Sequence, residues 1–211
     1  AEFIEAEVTE LVPENGGYLI NCSGGQSFKT RAVIYAAGTY RRRLGIKGEK
    51  EFSARGISYC AVCDGAFFEG KPVAVIGGGD TALSDALYLS QMCEKVYIIH
   101  RRENFRGNET LQEKVKNTEN IELILNAVLV EFVGDKLLNA VKYVQNGEEK
   151  LLSVSGSFTA IGSIPGTELV RGIVALDDNG YIKAGEDGIT SAKGIFAAGD
   201  VRTKQLRQVV T

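Results

Sequence analysis

The 211-residue chain holds a single histidine, His100, a single methionine, Met92, and four cysteines, Cys22, Cys60, Cys63 and Cys93. With one histidine, any Ser–His or Cys–His mechanism hangs on one residue. Four cysteines are too few for a disulfide scaffold at this length, so most of them read as reduced thiols of a cytosolic protein. Only the closely spaced pair Cys60 and Cys63 needs its own account. No apolar run approaches the roughly 20 residues of a membrane helix, and no basic-then-apolar segment opens the chain. Positive charge is also short: 24 Lys and Arg stand against 27 Asp and Glu, a net charge of -3. That balance argues against a nucleic-acid binder. With 44% hydrophobic and 24% charged residues, the composition is that of an ordinary soluble protein of one large or two small domains. Residue 1 is Ala, residues 1–11 read as a strand already under way, and "LRQVVT" stops without a cap. The expectation is a piece of a longer protein, cut at both ends.

Residues 3–21 alternate apolar and polar around "ENGG", the pattern of a hairpin. "AVIYAAG" (32–38) reads as a short buried strand, and "TYRRRLGIKGEKEF" (39–52) as a surface connection. "KPVAVIGGGDTALSDALYLSQMCEKVYIIHRR" then supplies a βαβ unit: a strand at 73–76, a helix with Ala82, Leu83, Ala86, Leu87 and Leu89 on its apolar face, and a strand at 95–99. A second, weaker unit puts a helix at 108–117 and a strand at 121–125. Then the hydrophobic period drops to two, predicting a β-meander with turns at Gly134-Asp135 and Asn146-Gly147. A further buried strand lies in "SFTAIGSIPGT" (157–167), and "GYIKAGEDGITSAKGIFAAGDV" reads as strand, loop and a strand at 194–198.

"GGGDTA" (77–82) fits G-x-G-x-x-A between a strand and a helix. In such a site Gly77 makes the tight turn, Gly79 lets a pyrophosphate approach the backbone, and Ala82 lets the helix sit close. The helix start offers free N–H groups to phosphate. Asp80 is open to a second reading, as a helix cap. An NAD site would carry an acidic residue about 20 positions on. Here the strand ends in His100-Arg101-Arg102, with Arg106 beyond. Guanidiniums pair with phosphate in bidentate fashion, which suits the 2′-phosphate of NADPH. The plainer reading is a solvated basic loop. His100 reads as a nucleotide-side or structural residue, not a base.

Cys60 and Cys63 sit in "SYCAVCDGAFF". A zinc site needs four ligands, and Cys22 and Cys93 are single and distant in sequence, so no metal site is expected. Inert thiols remain an alternative, but a redox disulfide fits best. Residues i and i+3 of a tight turn have Cα atoms within about 7 Å, near the roughly 5.5–6 Å a disulfide favours. Asp64 reads as a proton donor or acceptor for the exchange, or as a turn residue with Gly65. A hydride carries two electrons that a disulfide accepts poorly without a mediator, and a flavin is the usual go-between. A second nucleotide site is therefore expected.

With CAVCDG, GGGDTA, HRRENFR and GIFAAGDVR in one order, the chain resembles the low-molecular-weight thioredoxin reductases over essentially its whole length. The resemblance implies a homodimeric cytoplasmic flavoprotein, with FAD and NADPH as cofactors and thioredoxin or a thioredoxin-like protein as partner. It implies an α/β fold: a Rossmann-like NAD(P)-binding domain, parallel sheet plus β-meander, at 44–167, inserted into an incomplete FAD-binding domain at 1–43 and 168–211. By the same resemblance Cys63 faces the flavin, Cys60 exchanges with the partner, and Asp64 is the active-site acid. Gly77, Gly79, Asp80 and Thr81 bind the NADPH pyrophosphate. Arg101, Arg102 and Arg106 bind the 2′-phosphate, with His100 beside them. Ile161-Gly162 lies beside the nicotinamide half. Gly38, Gly199-Asp200 and Arg207-Gln208-Val209 hold FAD. The linkers "TYRRRLG" and "PGTELVRG" match the family's hinges.

The family's opening GxGxxG motif for FAD and its final helix have no counterpart here, and its small-Thr-Gly turn is Ala36-Ala37-Gly38. Two other functions stay open at this point. One is the flavoprotein reductase of an alkyl hydroperoxide peroxidase system. The other is a non-catalytic NADP-binding module in which FAD is not held.

Overall fold

The computed structural model describes residues 2–204. The strands β1 (Val8–Glu14), β2 (Gly17–Cys22), β3 (Ser27–Thr30), β4 (Val33–Tyr35), β5 (Thr39–Arg41) and β6 (Ile57–Ser58) come first. The helix α1 (Ala61–Asp64), β7 (Pro72–Gly77), α2 (Asp80–Ser90), β8 (Lys95–Ile99), α3 (Glu109–Lys116) and β9 (Ile121–Ile124) follow. Then come β10 (Ala127–Gly134), β11 (Leu138–Gln145), β12 (Glu148–Ser153), β13 (Gly156–Ala160), β14 (Ser163–Pro165) and β15 (Ile195–Ala197). The chain divides into two units, Ala1–Arg41 with Ser163–Thr211, and Arg42–Gly162.

The Arg42–Gly162 unit is built on a five-stranded parallel sheet in the order β6-β13-β7-β8-β9. Its central strand is covered on both faces. Val73 and Val75 join Ala82, Leu83, Ala86 and Leu89 of α2 in one core. Ala74 and Ile76 join Phe132, Leu138 and Val141 of the meander in the other. A strand buried on both faces needs no polar alternation, which is why "PVAVIG" is a continuous apolar run. Each fully buried Val or Ile there contributes about 1.5–3 kcal/mol relative to exposure. The antiparallel meander β10-β11-β12 lies on the second face. Helix α3 starts where the Asn108 side chain accepts the Thr110 N–H at 2.8 Å, a standard N-cap. It ends with Lys114 and Lys116 in its last turn, on the negative end of the helix dipole.

The other unit holds the antiparallel sheet β1-β2-β3, the parallel pair β4-β15 and the antiparallel pair β5-β14. Its core gathers Leu11, Tyr18, Val170, Val174, Ile182 and Ile195. Among the described residues no helix is long and apolar enough to cross a membrane.

Several elements depart from the sequence reading. Thr39–Arg41 is a strand, held by backbone pairing with β14, and not a bare surface connection. In the same stretch Phe52 is only 2% exposed and Glu49 is buried. Strand β4 is shorter than read and not buried: Ile34 is 73% exposed. The first strand read in "GYIKAG" is reduced to isolated bridges from Ile182 to Leu176 and Arg202. The turn read at Cys60–Cys63 is the opening turn of α1, with Cys60 as its N-cap.

Candidate active site

The glycine loop and the arginine loop interlock within the Arg42–Gly162 unit. Gly77 closes β7 with φ 152°, a left-handed conformation open to glycine. A Cβ there would overlap the Ala160 carbonyl oxygen. Gly79 has open space where its side chain would be, the cradle a pyrophosphate needs. Gly78, between them, lies against the His100 ring, so that a methyl group at this position would overlap the imidazole. His100 is 7% exposed. Its Nε2 lies 3.1 Å from the Asn104 carbonyl oxygen, and its ring packs on Phe105 with centroids 5.4 Å apart. Burial, more than the neighbouring Arg101, Arg102 and Arg106, holds its pKa below the ordinary value. Buried between the glycine loop and Phe105, the imidazole acts as a structural wedge.

The chain then returns over the glycine loop. Arg106 N–H and Gly107 N–H donate to the Gly78 carbonyl at 2.7 and 3.2 Å. Asn108 N–H donates to Asp80 Oδ1 at 2.6 Å. The Asp80 carboxylate therefore caps no residue of its own helix. It holds the start of α3.

These loops border a cleft of about 510 Å³. Gly77, Gly79, Thr81, His100, Arg101, Arg102, Arg106, Ile161 and Gly162 line it, together with Gly78, Arg42, Leu44, Ile46, Val128 and Leu129. The residues read from separate motifs as nucleotide contacts are thus brought to one place, with Asp80 outside the lining. Glycine, guanidinium and apolar walls suit a nucleotide carrying a pyrophosphate and a further phosphate. The middle glycine of "GGGD", Gly78, is itself the signal that could have found it. Nothing local marks Arg42 or Leu44.

Cys60 and Cys63 are joined in a disulfide, with Cα atoms 5.3 Å apart. Cys60 is half-buried and Cys63 exposed. The Cys63 N–H donates to Cys60 Sγ at 3.2 Å, a contact that favours a thiolate on Cys60 after reduction. Asp64, in the same helical turn, accepts a 2.6 Å hydrogen bond from Ser58 Oγ. Ser58 Oγ in turn accepts the Cys60 N–H at 3.1 Å. Ser58 is buried, and it ties the acid to the disulfide; no spacing rule singles it out. Cys22 and Cys93 are free and buried. Burial pushes the Cys93 thiol up, which keeps it protonated and inert.

In the other unit, Gly38 and Gly199-Asp200 follow β4 and β15, which pair in parallel from Val33↔Ile195 to Tyr35↔Ala197. Both therefore stand just beyond the carboxyl ends of neighbouring parallel strands, the position where such sheets take ligands. Both glycines have open space at the Cβ position, and Asp200 pairs with Lys204 at 3.2 Å. Arg207, Gln208 and Val209 lie outside the described residues.

The sequence pattern of the pyridine nucleotide-disulphide oxidoreductases matches residues 2–211. The chain belongs to this family. A thioredoxin reductase of Listeria monocytogenes is 41% identical over 214 residues, spanning 100% of this chain and 67% of the relative. One from Bacillus subtilis is 38% identical over 218 residues, with the same shares. Among solved structures, thioredoxin reductase from Giardia duodenalis superposes with TM-score 0.89 at 35% identity, covering 100% of this chain and 70% of that one. The enzyme from Streptococcus pyogenes gives 0.87 at 34%, covering 98% and 68%. Within the pyridine nucleotide-disulphide oxidoreductases, the chain thus falls among the thioredoxin reductases. It spans about two thirds of the length of these relatives.

Proposed function

We propose that the chain works as a thioredoxin-disulfide reductase, in which bound NADPH supplies hydride and bound FAD relays its electrons to the Cys60–Cys63 disulfide. The observation that carries this reading is the disulfide itself, set on an accessible helix in the same unit as the arginine-lined dinucleotide cleft. Gly77, Gly79 and Thr81 hold the pyrophosphate, Arg101, Arg102 and Arg106 the 2′-phosphate, and Ile161-Gly162 the nicotinamide half. Gly38, Gly199, Asp200 and residues 207–209 contact FAD. In this reading the NADPH domain expected at 44–167 corresponds to the Arg42–Gly162 unit, and the remainder belongs to the FAD domain. The family resemblance supports a cytoplasmic homodimer.

Two electrons and two protons open the S–S bond to two thiols. The Cys60 thiolate, favoured by the Cys63 N–H, attacks the disulfide of thioredoxin or a thioredoxin-like protein and forms a mixed disulfide. Cys63 then attacks Cys60 Sγ, which re-forms the internal disulfide and releases the partner as a dithiol. Asp64, held by Ser58, takes up and returns the proton at the leaving sulfur.

An absorbance spectrum before and after anaerobic NADPH tests the reading. The expected result is a flavin band that bleaches as two new thiols appear. Protein that carries flavin but gains no thiols with NADPH would overturn it, as would protein that holds neither cofactor.

A further inference from the structure

The tripeptide Arg106-Gly107-Asn108 is strapped across the tripeptide Gly78-Gly79-Asp80. Two of its N–H groups converge on the Gly78 carbonyl, at 2.7 and 3.2 Å. The third reaches Asp80 Oδ1 at 2.6 Å. Between them Gly107 is buried and lies flat on the glycine loop. A Cβ at this position would meet Leu83 Cδ1 at 2.6 Å and both Asp80 N and Gly79 C at 3.1 Å. The strap thus ties the backbone that carries the Arg106 guanidinium to the backbone that cradles phosphate. It also turns the Asp80 carboxylate onto an N–H donor. A free carboxylate at that helix start would repel an anionic ligand.

We propose that Asp80 and Gly107 are positioning residues that set the preference for a 2′-phosphorylated dinucleotide without touching it. They do so by fixing the distance between the pyrophosphate cradle and Arg106. The inference rests on the NADPH reading of the cleft. A dinucleotide lacking the 2′-phosphate makes no use of Arg106, so loosening the strap costs it little. A 2′-phosphorylated one needs both anchors at a fixed separation and loses affinity.

The test is titration of the whole chain with NADPH and with NADH. Asp80→Ala and Gly107→Ala should lower the NADPH-over-NADH preference about three- to tenfold, the worth of a hydrogen bond at a partly exposed site. Asp80→Asn keeps the acceptor oxygen and should keep the preference, even if removal of a charge tightens both dinucleotides. In an Arg106→Ala background, Asp80→Ala should add nothing, because coupled residues are not additive. Asp80 is exposed at its helix start, so its variants decide the matter should Gly107→Ala fail to fold. Equal weakening of both dinucleotides by Asp80→Ala, no weakening of either, or additivity with Arg106→Ala would overturn the strap alone. A wild-type chain that binds NADPH no better than NADH would overturn the reading of the cleft and the strap with it.

Discussion

The imidazole of His100 occupies the space into which a side chain at Gly78 would grow. The end of β8 and the middle of the glycine loop are therefore packed directly against each other.

Gly78→Ala should displace either the ring or the loop. Overpacking of this kind costs about 1–3 kcal/mol, read by thermal unfolding. NADPH affinity should fall by about tenfold or more, since sub-ångström misplacement of a phosphate cradle is felt directly. Unchanged affinity would mean that the loop yields freely and that the wedge is incidental.

His100 also predicts a pH dependence. Its folded pKa lies below the ordinary 6.5, first because it is buried. The unfolded chain therefore binds more protons in this window, and stability rises with pH. The contribution is fully present above about pH 6.5 and is lost as pH falls through the folded value. Unfolding midpoints followed from about pH 8 to about pH 5 should decline, and His100→Gln should flatten that part of the curve. An identical slope in the variant would assign the decline to other groups.

Asp64→Asn should slow reduction of thioredoxin about a hundredfold, within the range of a lost general acid or base. NADPH binding should not change. Ser58→Ala, which frees the carboxylate and strips the Cys60 N–H of its acceptor, should give a smaller loss of about tenfold. Stopped-flow measurement of thiol transfer separates the two. Equal effects would overturn the placing of Ser58 behind the acid.

Unfolded without reductant, the chain should present two thiols to a thiol reagent, from Cys22 and Cys93. After prior reduction it should present all four cysteines. Cys60→Ser or Cys63→Ser should show three under non-reducing conditions, two buried and one released from the disulfide.

Glu49 is 3% exposed. It accepts the Leu44 and Gly45 N–H groups at 2.9 and 2.7 Å and the Tyr59 hydroxyl at 3.3 Å. Glu49→Ala leaves these donors without a partner and should cost about 3 kcal/mol in urea unfolding, more than Glu49→Gln, which keeps one oxygen.

Local pattern carried much of this fold. The β-branched and apolar run before His100 marked β8 at the bounds the structure has, Lys95–Ile99. The helix read at 108–117 is α3, Glu109–Lys116, with Asn108 and Asn117 as its caps, and the two glycine-containing turns marked the meander. Thr39–Arg41 was not legible, because three polar residues become a strand only through pairing with Ser163–Pro165. Glu49 and Phe52 were not legible either, since nothing in a basic, glycine-containing stretch announces which of its members will be buried.

The cofactor-type motifs belong to the sequence by itself: two cysteines three apart, glycines after a strand, arginines after the next. Each depends on a few adjacent residues whose backbone geometry and charge are local properties. What only the tertiary structure decided is how these pieces hold one another: the Ser58 hydroxyl between Asp64 and Cys60, the His100 ring against Gly78, the strap from Asp80 to Asn108. Hydrogen bonds and close packing join groups by distance in space, and folding alone brings residues 28 positions apart to within reach.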